Sequence, residues 1–123
     1  MDENELAQKV IGLALKVHKT LGPGLLEKVY QECLFYELKK ANIEVKKEVS
    51  IPIKYNELVI ESAYRIDLLV ENKLIIELKS LEELNDLHFA QTLTYLKLAK
   101  LKLGLLLNFN DVLLKQGIRR VIN

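Results

Sequence analysis

From Glu3 to Thr20 the apolar positions Leu6, Val10, Leu13, Ala14 and Val17 recur every three or four residues, with Leu21 just beyond. This spacing predicts an amphipathic helix, which Asp2 or Asn4 can cap. Gly22, Pro23 and Gly24 break it, and a second helix is expected from about Leu25 to Ala41 on Leu26, Val29, Tyr30, Cys33, Leu34 and Leu38. The period then changes to two. Val45, Val49, Ile51 and Ile53 predict a strand between Ile43 and Tyr55, in which Pro52 marks an edge position or a bulge. Tyr55, Asn56 and Glu57 turn the chain, and a short strand from Leu58 to Ile60 leads through Glu61, Ser62 and Ala63 to the next element.

That element is Tyr64 to Ser80, which reads as a β-hairpin turning around Asn72. An odd loop, such as Glu71 to Lys73, sets Asp67 opposite Glu77; a two-residue loop would put them on opposite faces. In the odd register one face carries Ile66, Leu68, Val70, Leu74, Ile76 and Leu78, the expected core face. The other carries Leu69 and Ile75 near the turn and Arg65, Asp67, Glu77 and Lys79 at the far end, which suits the floor of a cleft.

A third helix is expected from Asn85 or Asp86 to about Lys100, apolar around much of its circumference (Leu87, Phe89, Ala90, Leu93, Leu96, Leu98) and so substantially buried. His88, Gln91, Thr92 and Tyr95 form one polar stripe on it. Leu101 to Phe109 suits a strand buried on both faces and parallel to the hairpin's last strand, and Gly117 to Ile122 a final strand. The predicted order is ααββββαββ, an α/β arrangement of mixed sheet flanked by helices.

Composition narrows the function. A chain of 123 residues, half of them apolar, suits one domain, residues 1–123. The formal net charge of +1 gives no global field to attract nucleic acid, although a local patch still could. Cys33 has no partner for an internal disulfide, the start MDENELAQK is acidic where a leader would be basic then apolar, and no apolar run approaches a membrane span. The expectation is a cytoplasmic protein with no membrane partner.

Two carboxylates on adjacent strands repel unless a cation lies between them, and a lysine two residues beyond one of them projects from the same side. Asp67, Glu77 and Lys79 therefore suit a hard divalent ion such as Mg²⁺, which takes carboxylate, water and phosphate oxygens. The alternative is an exposed strand face with cross-strand ion pairs, Asp67 to Lys79 or Arg65 to Glu77.

The segment GLLEKVY, Gly24 to Tyr30, fits the pattern G-x-x-E-x-x-Y, and with RIDLLV, IIELKS, AQTLTYL and GLLLNFN it resembles the GxxExxY family of the PD-(D/E)XK nuclease-like superfamily over nearly the whole chain. The resemblance implies a restriction-endonuclease-like core. It implies that Asp67 is the acidic ligand, that Glu77 and Lys79 are the E-x-K pair, and that the Leu78 carbonyl and Glu27 are further metal ligands. Gln91 and Tyr95 resemble the Q-x-x-x-Y element of RecB-type members, which positions substrate or catalytic groups, and His18 is similar to a metal-binding histidine found upstream in some of them. The superfamily's Pro-Asp is Ile66-Asp67 here.

The implied activity is Mg²⁺- or Mn²⁺-dependent hydrolysis of nucleic acid, DNA above all. A domain this small covers little of a duplex alone, an argument for a homodimer. The competing reading is a binding module for nucleic acid or protein on a nuclease-like fold. Structural roles stand beside the functional ones: Glu27 can favour its helix's first turn, Gln91 and Tyr95 can form a polar seam, and His18 and His88 can be ordinary surface or core histidines.

Overall fold

The structure, a computed structural model, describes residues 1–123. Helix α1 spans Glu3–Leu21 and α2 Glu27–Lys40; strands β1 (Val45–Tyr55), β2 (Leu58–Val70) and β3 (Leu74–Lys79) follow. Then come α3 (Asp86–Ala99), β4 (Leu103–Asn108), a 3₁₀ turn over Leu114–Gly117 and β5 (Ile118–Ile122). The strands form one five-stranded sheet in the order β1-β2-β3-β4-β5. Only β3 and β4 run parallel, joined through α3 as expected; the other neighbours are antiparallel. The mixed α/β sheet flanked by helices is consistent with the restriction-endonuclease-like expectation.

Local chemistry sets the helix ends. Asp2 caps α1 by accepting from the Glu5 N–H at 2.8 Å, and Gly22, at φ 76°, closes it by donating to the His18 carbonyl. Asn85 and His88 form a reciprocal capping box at the start of α3. Leu6, Val10, Ala14 and Val17 of α1 pack with Tyr30, Leu34 and Leu38 of α2 against Leu68, Leu74, Ile76, Leu105 and Leu107 on one face of the sheet. On the opposite face Tyr95 and Leu96 of α3 cover Ile51, Ile66, Ile75, Leu106 and Val121. β3 and β4 are therefore sandwiched between helices, which accounts for their continuous apolar runs.

Three expectations need correction. The short strand Leu58–Ile60 and the first hairpin strand are one element, so three strands and not four precede α3. β1 pairs on both sides of Glu61 to Ala63, at Ile51↔Tyr64 and Ile53↔Ile60, so the strand runs on through these three unpaired residues, where the register shifts. Pro52 lies in that shift on an edge strand, as its missing N–H requires.

Helix α3 is not substantially buried. Only Thr92, Tyr95 and Leu96 are, while Leu87 is 76% exposed, because a helix lying on a sheet as an outer layer can turn only one side inward.

Ile66 does not share the core face of Leu68 and Val70; it packs on the α3 side. Between the paired positions Lys47↔Leu68 and Val49↔Ile66, β1 carries Glu48 at φ 54°, where the regular pleat is interrupted.

Close contact of α3 with β4 depends on Gly104. A Cβ there would lie 3.1 Å from Thr92 Cγ2, and Thr92 is held by its hydroxyl bond to the His88 carbonyl. Gly104→Ala is expected to destabilise the protein by about 1 kcal/mol or more, whereas Gly12→Ala, with open space at its Cβ within α1, gains about 0.5–1 kcal/mol. Denaturant midpoints of the two variants check both signs.

Candidate active site

The hairpin has the odd register, with rungs Leu68↔Ile76, Leu69↔Ile75 and Val70↔Leu74. One step beyond the last rung, Asp67 and Glu77 face each other and the backbone ladder stops. Side chains take its place: Glu77 Oε2 accepts from the Asp67 N–H at 2.8 Å, and Asp67 Oδ2 accepts from the Leu78 N–H at 2.9 Å. Each carboxylate is thus locked by one oxygen, and the other oxygen of each takes no hydrogen bond from the protein. Leu78's carbonyl points to the same side as its N–H, past the end of the ladder.

Neither cross-strand ion pair forms. Arg65 goes to Glu48 instead, at 3.9 Å, and Lys79 is in no ion pair. A buried carboxylate, Glu77, and a half-buried one, Asp67, therefore lie together without a cation bonded to either. Burial, then the neighbouring charge of Asp67, pushes Glu77 up to about 8, and burial raises Asp67 as well, with Glu27 and Glu48 adding to it. Near neutral pH the pair holds a shared proton.

Lys79 is fixed at its backbone and unpaired at its ammonium. The Phe109 N–H donates to the Lys79 carbonyl at 2.8 Å, and the buried Asn108 side chain ties down Leu81 through both its oxygen and its nitrogen. Ser80 donates its hydroxyl to the Leu25 carbonyl at 2.7 Å and its N–H to Glu27 Oε2 at 3.4 Å. These bonds bring Glu27, at the start of α2, to the end of β3. Tyr30 sets the approach: its hydroxyl donates to the Gly22 carbonyl and accepts from the Leu25 N–H, while its ring stacks on Phe109 at 4.4 Å. The tyrosine of G-x-x-E-x-x-Y thus shapes the loop that presents the glutamate.

Tyr95 is buried, and its hydroxyl is pushed up to about 12 by burial and by the charges of Glu77, Asp67 and Tyr64. It is a neutral donor at any ordinary pH. Gln91 is exposed one turn earlier, in the groove that Tyr95 also lines. Two polar residues of the α3 stripe make structural bonds, His88 through Nδ1 in the capping box and Thr92 through its hydroxyl to the His88 carbonyl.

His18 is not brought to the carboxylates. Its Nε2 donates to the carbonyl oxygens of Phe109 and Asp111, fastening α1 to the loop after β4.

Three residues near the site escaped the sequence reading. Asn108 had a signal, a polar side chain inside the run LGLLLNF. Glu48, whose charge reaches Asp67 and which Lys28 holds at 3.0 Å, had none, being one polar position among several. Tyr64, 5.5 Å from the Tyr95 ring between centroids, looked only like the start of a strand.

No three Asp, Glu, His or Cys side chains converge into a ready-made metal cage. The donor set fits Mg²⁺ or Mn²⁺ nonetheless: Asp67, Glu77 and the Leu78 carbonyl are hard oxygen donors, and Mg²⁺ takes one or two carboxylates and fills its shell with water and substrate oxygens. The chain matches the family model of the PD-(D/E)XK nuclease superfamily over residues 4–121 and belongs to that superfamily. Comparison with curated proteins gives no match. No helix is long and apolar enough to cross a membrane.

The electrostatics set a pH dependence. Glu77 has an ordinary value of 4.5 and a folded value of about 8, so between these the unfolded chain has lost a proton that the folded chain keeps. Stability contributed by the protonated pair is complete below 4.5 and is lost as pH rises through about 8. In chelator, the denaturant midpoint should fall across that window; Glu77→Gln should flatten the fall, and added Mg²⁺ or Mn²⁺ should raise the midpoint most at the alkaline end. A wild-type midpoint that ignores both pH and metal would refute the buried-pair description.

Proposed function

We propose that this protein is a Mg²⁺- or Mn²⁺-dependent nuclease that hydrolyses phosphodiester bonds of nucleic acid, DNA in particular, and that it is of the GxxExxY type. One observation carries the reading. Asp67 and Glu77 are fixed side by side at the open end of the β2–β3 ladder with no cation bonded to either, and Lys79, free of any ion pair, projects beside them. An arrangement made only for stability would pair these charges.

In this reading Asp67, Glu77 and the Leu78 carbonyl would hold the ion, with Glu27 reaching the site from α2. Bound there, it would supply Lewis acidity toward the phosphoryl oxygen and the attacking water. Lys79 stabilises negative charge developing on the phosphate, or takes part in deprotonating the water. Gln91 and Tyr95 orient groups around them, Tyr95 as a donor that stays protonated. Lys28 and Lys47, exposed and paired with Glu32 and Glu48, are available to phosphates at little cost because surface pairs are weak. Substrate binding of this kind is salt-sensitive and tolerant of sequence.

Cleavage of labelled single-stranded, linear duplex and circular DNA in Mg²⁺ or Mn²⁺ tests the proposal. Wild type should cut at least one of them, chelator should stop it, and Asp67→Asn and Lys79→Ala should each lower the rate by about a hundredfold or more with folding intact by circular dichroism. Wild type inactive on every substrate would favour a binding module, and activity surviving both substitutions would place the reaction elsewhere.

A further inference from the structure

A groove of about 320 Å³ opens between β2 and α3, lined by Tyr64, Leu87, His88, Gln91, Thr94 and Tyr95 among others. No carboxylate, lysine or arginine lines it, although strongly charged groups lie just beyond Tyr95. The space exists because β2 leaves β3 at Asp67: of its 13 residues only Leu68 to Val70 pair with β3.

The lining chemistry is specific. Tyr64 is 39% exposed and inclined at 49° to the Tyr95 ring, so it offers aromatic surface to the groove. Gln91 has both halves of its amide free. The Asn85 N–H donates to His88 Nδ1, which leaves the proton of the neutral ring on Nε2 as a second donor. Thr94 gives its own proton to the Ala90 carbonyl, so its oxygen remains an acceptor. A planar, uncharged group with donors and acceptors on its edge matches these walls. A phosphate would find no cation here.

We propose that this groove takes the nucleobase of the nucleotide next to the scissile phosphate, stacked on Tyr64 with its edge read by Gln91 and His88, so that the enzyme acts on strands whose bases are unpaired. The proposal rests on the nuclease reading and adds the substrate class to it. A base inside a duplex is stacked on both faces and cannot enter such a groove without being extruded. Continuity through Tyr95 places the base on one side and the phosphate at Asp67 and Glu77 on the other.

Binding, not cleavage, tests it. The full chain carrying Asp67→Asn, which removes turnover, is titrated in Mg²⁺ with a fluorescein-labelled single strand and with the same strand in a blunt duplex. The single strand should bind more tightly, Tyr64→Ala should weaken it by about tenfold or more, and Tyr64→Trp should restore it. Duplex binding should not change with either variant. A 2-aminopurine in the single strand should be quenched on binding by Tyr64 protein and not by Tyr64→Ala. Equal affinity for duplex and single strand, or single-strand binding indifferent to Tyr64→Ala, overturns the proposal. Since no cleavage is read, active enzyme indifferent to Tyr64 would remove the groove and leave the nuclease, whereas Tyr64-dependent binding by a wild type that never cuts would remove the nuclease and leave the groove.

Discussion

Where the β2–β3 backbone ladder ends, two side-chain carboxylates replace the carbonyls that would have continued it. Asp67 and Glu77 each accept the N–H that the departing strand leaves unpaired, so the same bonds satisfy the backbone and hold two like charges together. Satisfying buried N–H groups is favourable, while crowding two charges in a buried place is costly. The charge term is what a proton or a divalent cation can relieve, and it gives this end of the sheet a chemistry that a regular ladder would lack.

The surrounding fold keeps that arrangement from relaxing. Phe109, Asn108, Ser80 and Glu27 pin the residues after Glu77, and Tyr30 pins the loop before α2. On the other face, Gly104 lets α3 approach the sheet, and Tyr95 of α3 lies near enough for the charges of Glu77 and Asp67 to push its hydroxyl up. Lys79 is the exception: its backbone is tied, yet its ammonium has no partner.

Much of this was legible in the sequence because it follows from period. Alternation around Asn72 predicted the hairpin and left two registers, of which the odd one sets Asp67 against Glu77; the apolar run within Leu101 to Phe109 predicted a buried parallel strand, and Pro52 marked an edge position or a bulge, and lies on the edge strand at a register shift. What period could not show is where a strand stops being regular. Ile66 has the same parity as Leu68 but packs on the other face, since the interruption at Glu48 is a property of two strands together. The apolar residues of α3 predicted burial, but Leu87 has no second layer to pack against. His18 resembled a ligand by type, and only tertiary contacts reveal that its proton is spent on two carbonyls.

Asp67 and Glu77 share a charge burden that a divalent cation bound in the proposed site would take over. The most direct measurement is a carbon-13 NMR titration of the Glu77 side-chain carboxyl in chelator and in Mg²⁺. Without metal Glu77 should titrate far above 4.5, near 8, and in Mg²⁺ it should be ionised throughout the neutral range. A Glu77 that titrates at an ordinary carboxylate value in chelator, or whose titration Mg²⁺ leaves unmoved, would overturn the shared charge of the pair.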